Sequence, residues 1–359
     1  MSGWRRVIRE TSDGYAYSVD VPPMPRLNDL FLNSSVYIYP SEAEAQSGHG
    51  EGGSGFITTI PGNPPLEQSL HSYIVTAKHV IDRQSKTYVR INRRLGKTRI
   101  IETNRCDWVP HCDADVAFVN IGLDAVELEI AHIPVALYVT REMVVVNDQV
   151  LGADRFGVGD ECYFFGRFVG QPGEERNLPV ARFGHLARMP LEPIKGEEAF
   201  LVEFKSMPGF SGSPVFIYRS GEIDFYHYYR PAERSRVSFL GVDFCHLPEV
   251  ADIGSRAEDG TFKSHNTVWV RHSAGMMGVV PAWKLYELLT RDDLVKRRKE
   301  IEDEYLEERR TQAMRDSVTP TLEAADSERG EFERFEDLAR KVVNTPKSEL
   351  DEKREDGDS

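Results

Sequence analysis

The feature that most constrains this chain is the spacing of its short apolar runs. Between Leu30 and Pro281 the runs SVYIYP, SGFITTI, SYIVTA, KTYVRI, DVAFVNI, IPVALYV, ECYFFG, AFLVEF, SPVFIY, SFLGVDF and TVWVRH follow one another. They are rich in Val, Ile, Tyr and Phe, and Gly, Pro, Asn and Asp separate them. Runs of this length and composition suit strands, and a long series of them predicts an all-β sandwich or barrel. No long amphipathic helical period interrupts the series before Pro281. A hydrophobic fraction of 40% supports a real core.

At VPAWKLYELLTRDD the period changes. Ala282, Leu285, Tyr286 and Leu289 recur at helical spacing and predict one apolar face. The charged stretch that follows sets Asp292 and Asp293 four residues before Lys296 and Arg297, which favours a solvated continuation of that helix. After SVTP the chain is polar and is expected to be disordered. Within it, Phe332, Phe335, Leu338 and Val342 form a stripe that could dock on the domain or on a protein partner. The organisation read from composition is an N-terminal arm over 1–29, a domain over 30–290 and a charged helical and disordered tail over 291–359.

A formal net charge of -14 argues against nucleic acid and anionic membranes as partners. No apolar run is long enough to span a membrane. The opening MSGWRRVIRETSDG has no apolar segment after its basic residues, so no secretory signal is expected. The four cysteines, Cys106, Cys112, Cys162 and Cys245, form no CxxC pair and read as free thiols, not as a zinc site or disulfide framework. A cytoplasmic, reducing location is the default.

One stretch asks for chemistry. PGFSGSPVF, Pro208 to Phe216, sets Ser211 between flexible residues just before a β-branched strand. A serine nucleophile needs an imidazole to take its proton, a carboxylate to orient the imidazole, and backbone N–H groups facing the developing oxyanion. His79, at the end of the run Tyr73-Ile74-Val75, has the strand-end setting that fixes an imidazole. His71, His49 and His111 are its competitors. Asp115 opens the strand of DADVAFV, with Asp113 as runner-up, although an aspartate at a strand start is as readily a turn cap. Gly209 can turn its N–H toward a pocket, and that N–H and the one of Ser211 could form an oxyanion hole. Gly212 would leave room for a substrate chain. Alone, the motif is equally a Gly-Ser turn with no chemistry.

The order His79, Asp115, Ser211 on an all-β chain is more specific. With GSGFI (Gly53 to Ile57), VTAKHV (Val75 to Val80), DADVAFV and PGFSGSPVF, the sequence resembles the trypsin-like (chymotrypsin-fold) serine peptidases, and looks closest to their bacterial HtrA-type branch. VGDECYFFG, FLGVDF and SAGMMGVVPAWKLYELL are weaker matches. The resemblance implies two six-stranded antiparallel β-barrels with the site between them and a closing helix. His79 would be the general base, Asp115 its orienting carboxylate and Ser211 the nucleophile, on protein or peptide substrates. It implies no metal and no organic cofactor. A C-terminal peptide-binding module of the PDZ kind is not expected here.

Two departures carry information. Phe210 stands where digestive members have an aspartate that pairs with a newly cut N-terminus, so no such activation switch is expected. Val80 replaces the cysteine that often follows the histidine. By position, Lys205, Ser206, Phe244, Cys245 and His246 should lie near the primary specificity pocket. The aromatic insertion EIDFYHYYRPAERSR could cover the cleft. The alternative function is a catalytically idle barrel that serves as a binding scaffold.

Overall fold

The structure is a computed structural model and describes residues 5–10, 16–21, 29–67, 70–82, 84–93, 98–120, 132–143, 156–204, 207–218, 237–256 and 261–318. The aromatic insertion after Tyr218 and the stripe from Phe332 to Val342 lie outside the described residues.

Strands β1 (Arg5–Glu10) and β2 (Ala16–Val21) form an antiparallel ribbon. After α1 (Asp29–Asn33) comes the first sheet. It comprises β3 (Ser35–Tyr39), β4 (Gly53–Pro61), β5 (Leu70–Thr76), β6 (Lys86–Asn92), β7 (Thr98–Asn104), β8 (Trp108–Pro110), β9 (Ala117–Val119) and β10 (Ile133–Pro134). Helix α2 (Glu42–Ser47) links β3 to β4, and α3 (Lys78–Asp82) follows β5. The strand order is β7-β6-β3-β4-β5-β9-β8, with β10 parallel to β4.

The second sheet contains β11 (Glu161–Gly166), β12 (Val180–Arg188), β13 (Phe200–Glu203), β14 (Pro214–Tyr218), β15 (Val237–Arg256) and β16 (Phe262–Pro281). It closes on itself in the order β11-β12-β13-β16-β15-β14. Helices α4 (Ala282–Leu289) and α5 (Asp292–Val318) follow. The all-β expectation with a closing helix holds. The second sheet is a closed six-stranded barrel, whereas the first is a half-barrel of eight strands among the described residues. The chain divides into two compact units, Met1–Arg298 and Lys299–Ser359. Both sheets and α4 belong to the first. The described residues of the second are helical and contain no helix long and apolar enough to cross a membrane.

Aromatic side chains join the two sheets. Phe56 of β4 packs on Phe239 of β15 at 5.3 Å between ring centroids, Tyr138 packs on Phe239 at 4.7 Å, and Phe216 of β14 at 5.7 Å. All four belong to one buried cluster that runs through both sheets. Full burial of each such ring stabilises by about 1.5–3 kcal/mol, so the two sheets share a core and do not merely touch. A second cluster, including Val36, Ile57, Ile74 and Val89, fills the half-barrel.

Helix α4 differs in phase from its sequence reading. Ala282, Leu285 and Leu289 are buried as expected, but Tyr286 is 48% exposed. Trp283 and Leu288 widen the buried face instead, with the Trp283 indole edge-on to Phe200 at 5.4 Å. Near the start of α5, Arg298 is buried despite its charged surroundings. Its Nη1 donates to the Leu289 carbonyl at 2.9 Å and to the Tyr73 hydroxyl at 3.1 Å, so it closes the end of α4 against β5.

Candidate active site

The position of His79 follows from strand pairing. Thr76, the last residue of β5, is the register partner of Ala117 at the start of β9. His79 lies three residues past one partner and Asp115 two residues before the other. The antiparallel pair therefore delivers them to the same end of the sheet. Buried Ala77 lets the chain turn, and the Val80 N–H donates to its carbonyl at 3.1 Å as α3 begins. The loop before β9 is closed by the His111 N–H on the Val116 carbonyl (2.9 Å) and the Val116 N–H on the Ala114 carbonyl (2.8 Å).

Asp115 meets His79 through both carboxylate oxygens. Oδ2 lies 2.7 Å from His79 Nδ1, and Oδ1 accepts the His79 backbone N–H at 2.9 Å. One contact orients the ring and the other fixes the backbone that carries it. The imidazole is 39% exposed and the carboxylate 16%, so the ring faces the opening and the charge sits behind it. With Nδ1 engaged, Nε2 is the nitrogen left for proton transfer.

The runners-up have other partners. Asp113 accepts from the Lys284 ammonium of α4 at 3.2 Å, and that ammonium holds its carboxyl below the usual range. His111 is buried, accepts the Asp113 N–H at 3.2 Å, and is held below the usual imidazole range by that burial. His111, Cys112 and Asp113 offer ligand atoms within 4.8 Å of one another, but the Lys284 ammonium on Asp113 opposes a cation there. His49 is exposed on the 48–52 loop, and His71 belongs to β5.

Ser211 is carried by the loop between β13 and β14, whose backbone is ordered by hydrogen bonds on either side of it. The N–H groups of Phe210, Gly212 and Ser213 donate to the carbonyls of Met207 (3.3 Å), Asp243 (2.8 Å) and Phe210 (2.8 Å). Among the described residues, the N–H groups of Gly209 and Ser211 have no such acceptor. Gly209 and Gly212 have φ of 98° and 91°, a region that favours glycine. The His79 ring and the His79 backbone N–H both bond to Asp115. A nucleophile–base bond often forms only when substrate closes the site.

Gly212 has a different use from the one read in the sequence. A Cβ there would stand 2.0 Å from the Ser54 carbonyl, 2.3 Å from Thr76 Oγ1 and 3.1 Å from the Ala77 nitrogen. Its missing side chain thus lets the serine loop dock on the half-barrel, next to the turn that carries His79. Ser54, buried within GSGFI, does most of the docking. Its N–H donates to the Ser211 carbonyl (2.9 Å), its Oγ donates to the Gly209 carbonyl (2.7 Å), and its Oγ accepts the Arg167 N–H (2.8 Å). Sequence reasoning matched that motif without giving Ser54 a role. Phe210 is fully buried, edge-on to Phe164 at 5.0 Å, with the Arg182 guanidinium 5.3 Å from its ring centroid. Packing anchors the loop at this position.

Phe244 and Cys245 are buried in the closed barrel, where a Cβ on Gly278 would meet the Phe244 ring at 2.7 Å and the Cys245 sulfur at 2.8 Å. Burial pushes the Cys245 thiol up to about 11, so it stays protonated and is no nucleophile. His246 is exposed, and its carbonyl accepts from Lys195 Nζ at 3.4 Å. Lys205 and Ser206 lie outside the described residues. A cavity of about 490 Å³ opens at the end of the closed barrel between Glu161, Tyr163, Phe183, His185 and Glu203, and none of His79, Asp115 and Ser211 lines it. Hydrogen-bond geometry, and not cavity size, marks the candidate site.

One residue at the site went unread in the sequence. The Asp115 N–H donates to Glu197 Oε2 at 2.7 Å, a bond from the half-barrel to the second sheet's loop. Its local signal is Ile194-Lys195-Gly196-Glu197, the pattern of a two-residue hairpin turn. Nothing in that pattern says what the turn touches.

No protein-family profile and no curated protein matches the chain. Among solved structures it is similar to the MamO protease domain from Magnetospirillum magneticum in its apo form, at 14% identity and a TM-score of 0.40, over 73% of this chain and 98% of that one. It is similar to the HtrA-type protease AlgW with a tripeptide, at 13% identity and a TM-score of 0.38, over 73% of this chain and 61% of that one. A human pathogenic astrovirus serine protease matches at 13% identity and a TM-score of 0.32, over 69% and 89% of the two chains. The chain's own architecture is a closed six-stranded barrel, a half-barrel packed on it through a shared core, a closing helix, and a serine loop seated where the two sheets meet. That is the arrangement of the trypsin-like fold, with one barrel closed and the other a half-barrel.

Proposed function

We propose that the protein is a serine endopeptidase that cleaves peptide bonds of protein substrates, with His79, Asp115 and Ser211 as its catalytic residues. The observation that carries this reading is the double contact of Asp115 with His79, at 2.7 and 2.9 Å, beside the docking point of the Ser211 loop. In the reaction, Ser211 Oγ attacks the scissile carbonyl carbon while His79 Nε2 takes the hydroxyl proton. The oxyanion is received by the N–H groups of Gly209 and Ser211. The C–N bond breaks as His79 returns the proton to the leaving amine. Water, deprotonated by His79, then attacks the acyl-enzyme and releases a carboxylic acid and free Ser211. Asp115 keeps the Nδ1–H tautomer and stabilises the imidazolium formed in each half.

The buried packing of Phe210 supports a serine loop formed without an activating N-terminus. Four free cysteines, two of them exposed, fit a reducing cytoplasm. By sequence position, Lys205, Ser206 and His246 are proposed to contact the substrate, whereas Phe244 and Cys245 are buried.

A fluorophosphonate probe tests the assignment. It should label the protein once, on a peptide containing Ser211, and Ser211→Ala should remove the label. A folded protein that resists the probe at every pH supports the idle-scaffold reading instead.

A further inference from the structure

Asp115 is held from two directions. Its carboxylate receives both bonds from His79, while its backbone N–H donates to Glu197 Oε2 at 2.7 Å. The two contacts come from different sheets. Glu197 ends a tight turn in the loop between β12 and β13, in which Ile194 and Glu197 exchange backbone hydrogen bonds of 2.8 and 3.1 Å. The turn residues Lys195 and Gly196 have φ of 52° and 87°, as a two-residue hairpin turn of this hand requires. It is anchored on both flanks. Lys195 Nζ reaches the His246 carbonyl at 3.4 Å, and Glu198 pairs with Arg141 at 2.7 Å and Lys284 at 3.7 Å. The carboxylate of Glu197 is therefore delivered to Asp115 by a short, doubly tethered segment.

We propose that Glu197 is a positioning residue for the His79–Asp115 pair, supplied across the cleft by the second sheet. It fixes the Asp115 backbone and places a second negative charge behind the imidazole. The inference rests on the triad reading above. A half-buried carboxylate beside another carboxylate is costly in stability terms, and a hydroxyl or amide acceptor would bind the same N–H without that cost. Burial, first, and then the charges of Asp115 and Asp113 hold the Glu197 carboxyl above its usual range, opposed by the Asp115 N–H and by Lys78 of α3. Asp115, Asp113 and Lys78 are the charges that act on it among the described residues. A negative charge in this place favours the imidazolium that forms when His79 accepts the serine proton.

The test compares Glu197→Gln, which keeps an acceptor and removes the charge, with Glu197→Ala, which removes both. Probe-labelling rate is measured against pH, the downfield His79 Nδ1–H resonance is recorded by NMR, and the melting temperature checks the fold. For Glu197→Gln the acid limb of the rate should move to lower pH by about half a unit, with a loss of about three- to tenfold at neutral pH. The resonance should shift. For Glu197→Ala the rate should fall further and the resonance broaden. A wild-type acid limb together with an unshifted resonance in Glu197→Gln overturns the proposal, even where Glu197→Ala fails to fold. If the wild-type protein takes no probe, the triad reading fails by itself, and the resonance alone then decides whether Glu197 holds the pair.

Discussion

The two sheets hold the proposed catalytic residues by different means. On the half-barrel, His79 and Asp115 are fixed by side-chain bonds between residues 36 apart in sequence. On the closed barrel, Ser211 is fixed by the backbone of one loop, by two glycines at positive φ and by the buried ring of Phe210. The first side is therefore sensitive to charge at constant shape. The second is sensitive to shape at constant charge.

The strongest way to break this contrast is to remove the proposed nucleophile. Ser211→Ala should abolish probe labelling and lower peptide hydrolysis by about 10⁵- to 10⁶-fold, with an unchanged melting temperature. Asp115→Asn keeps the size of the side chain but favours the wrong imidazole tautomer, and should cost about 10³–10⁴-fold in kcat. Equal activity of Asp115→Asn and wild type would remove the half-barrel from the chemistry.

The opposite outcome is expected of Gly212→Ala. No charge changes, yet the new Cβ falls 2.0 Å from the Ser54 carbonyl at a φ that disfavours side chains. Denaturant unfolding should show a loss of about 2–4 kcal/mol, or no folded protein at all. A Gly212→Ala variant as stable as wild type would mean that the serine loop is not docked on the half-barrel as described.

The same contrast decided what could be read from the sequence. The serine side was legible because its elements are contiguous: Gly209, Ser211 and Gly212 share one motif, and Phe210 within it pointed to a preformed loop. His79 was found by its strand-end setting, but Asp115 was preferred to its runner-up Asp113 only because it opens the strand. Only the Thr76–Ala117 register and the reach of Lys284 from α4 assign one to His79 and the other to a structural pair. Glu197 was illegible for the same reason, since its partner is 82 residues away. The strand series gave the fold class, while the unequal closure of the two sheets depends on edge pairings that composition does not encode. Tyr286 fitted the helical stripe of α4, but Trp283 and Leu288 supplied the buried width instead.

Asp113 sharpens the comparison because it shares its loop with Asp115. Asp113→Asn should leave peptidase activity within about twofold and lower stability by about 1 kcal/mol, since Lys284 keeps Glu198 and Glu287 at 3.7 and 3.9 Å. Lys284 lowers the folded-state pKa of Asp113, so this stabilisation is present above the unfolded carboxyl pKa and lost as pH falls through the folded one. The stability gap between wild type and Asp113→Asn should thus close below about pH 4. A gap that persists there would place its origin in packing.

Glu197 should show the reverse dependence and the smallest effect. Its folded-state pKa is raised, with burial as the first cause. Its favourable contribution is therefore complete below the unfolded carboxyl pKa and is lost as pH rises through the folded value. Glu197→Gln has no proton to lose. It should match the wild type in acid and melt on the order of 1–2 °C higher at neutral pH. Calorimetric scans of both proteins at a series of pH values would read this directly. A Glu197→Gln variant less stable than wild type at neutral pH would mean that the extra strength of a charged acceptor for the Asp115 N–H outweighs the cost of the buried charge. Glu197 would then be a structural tether first, and the half-barrel would owe the placement of Asp115 to the second sheet more than to its own strand pairing.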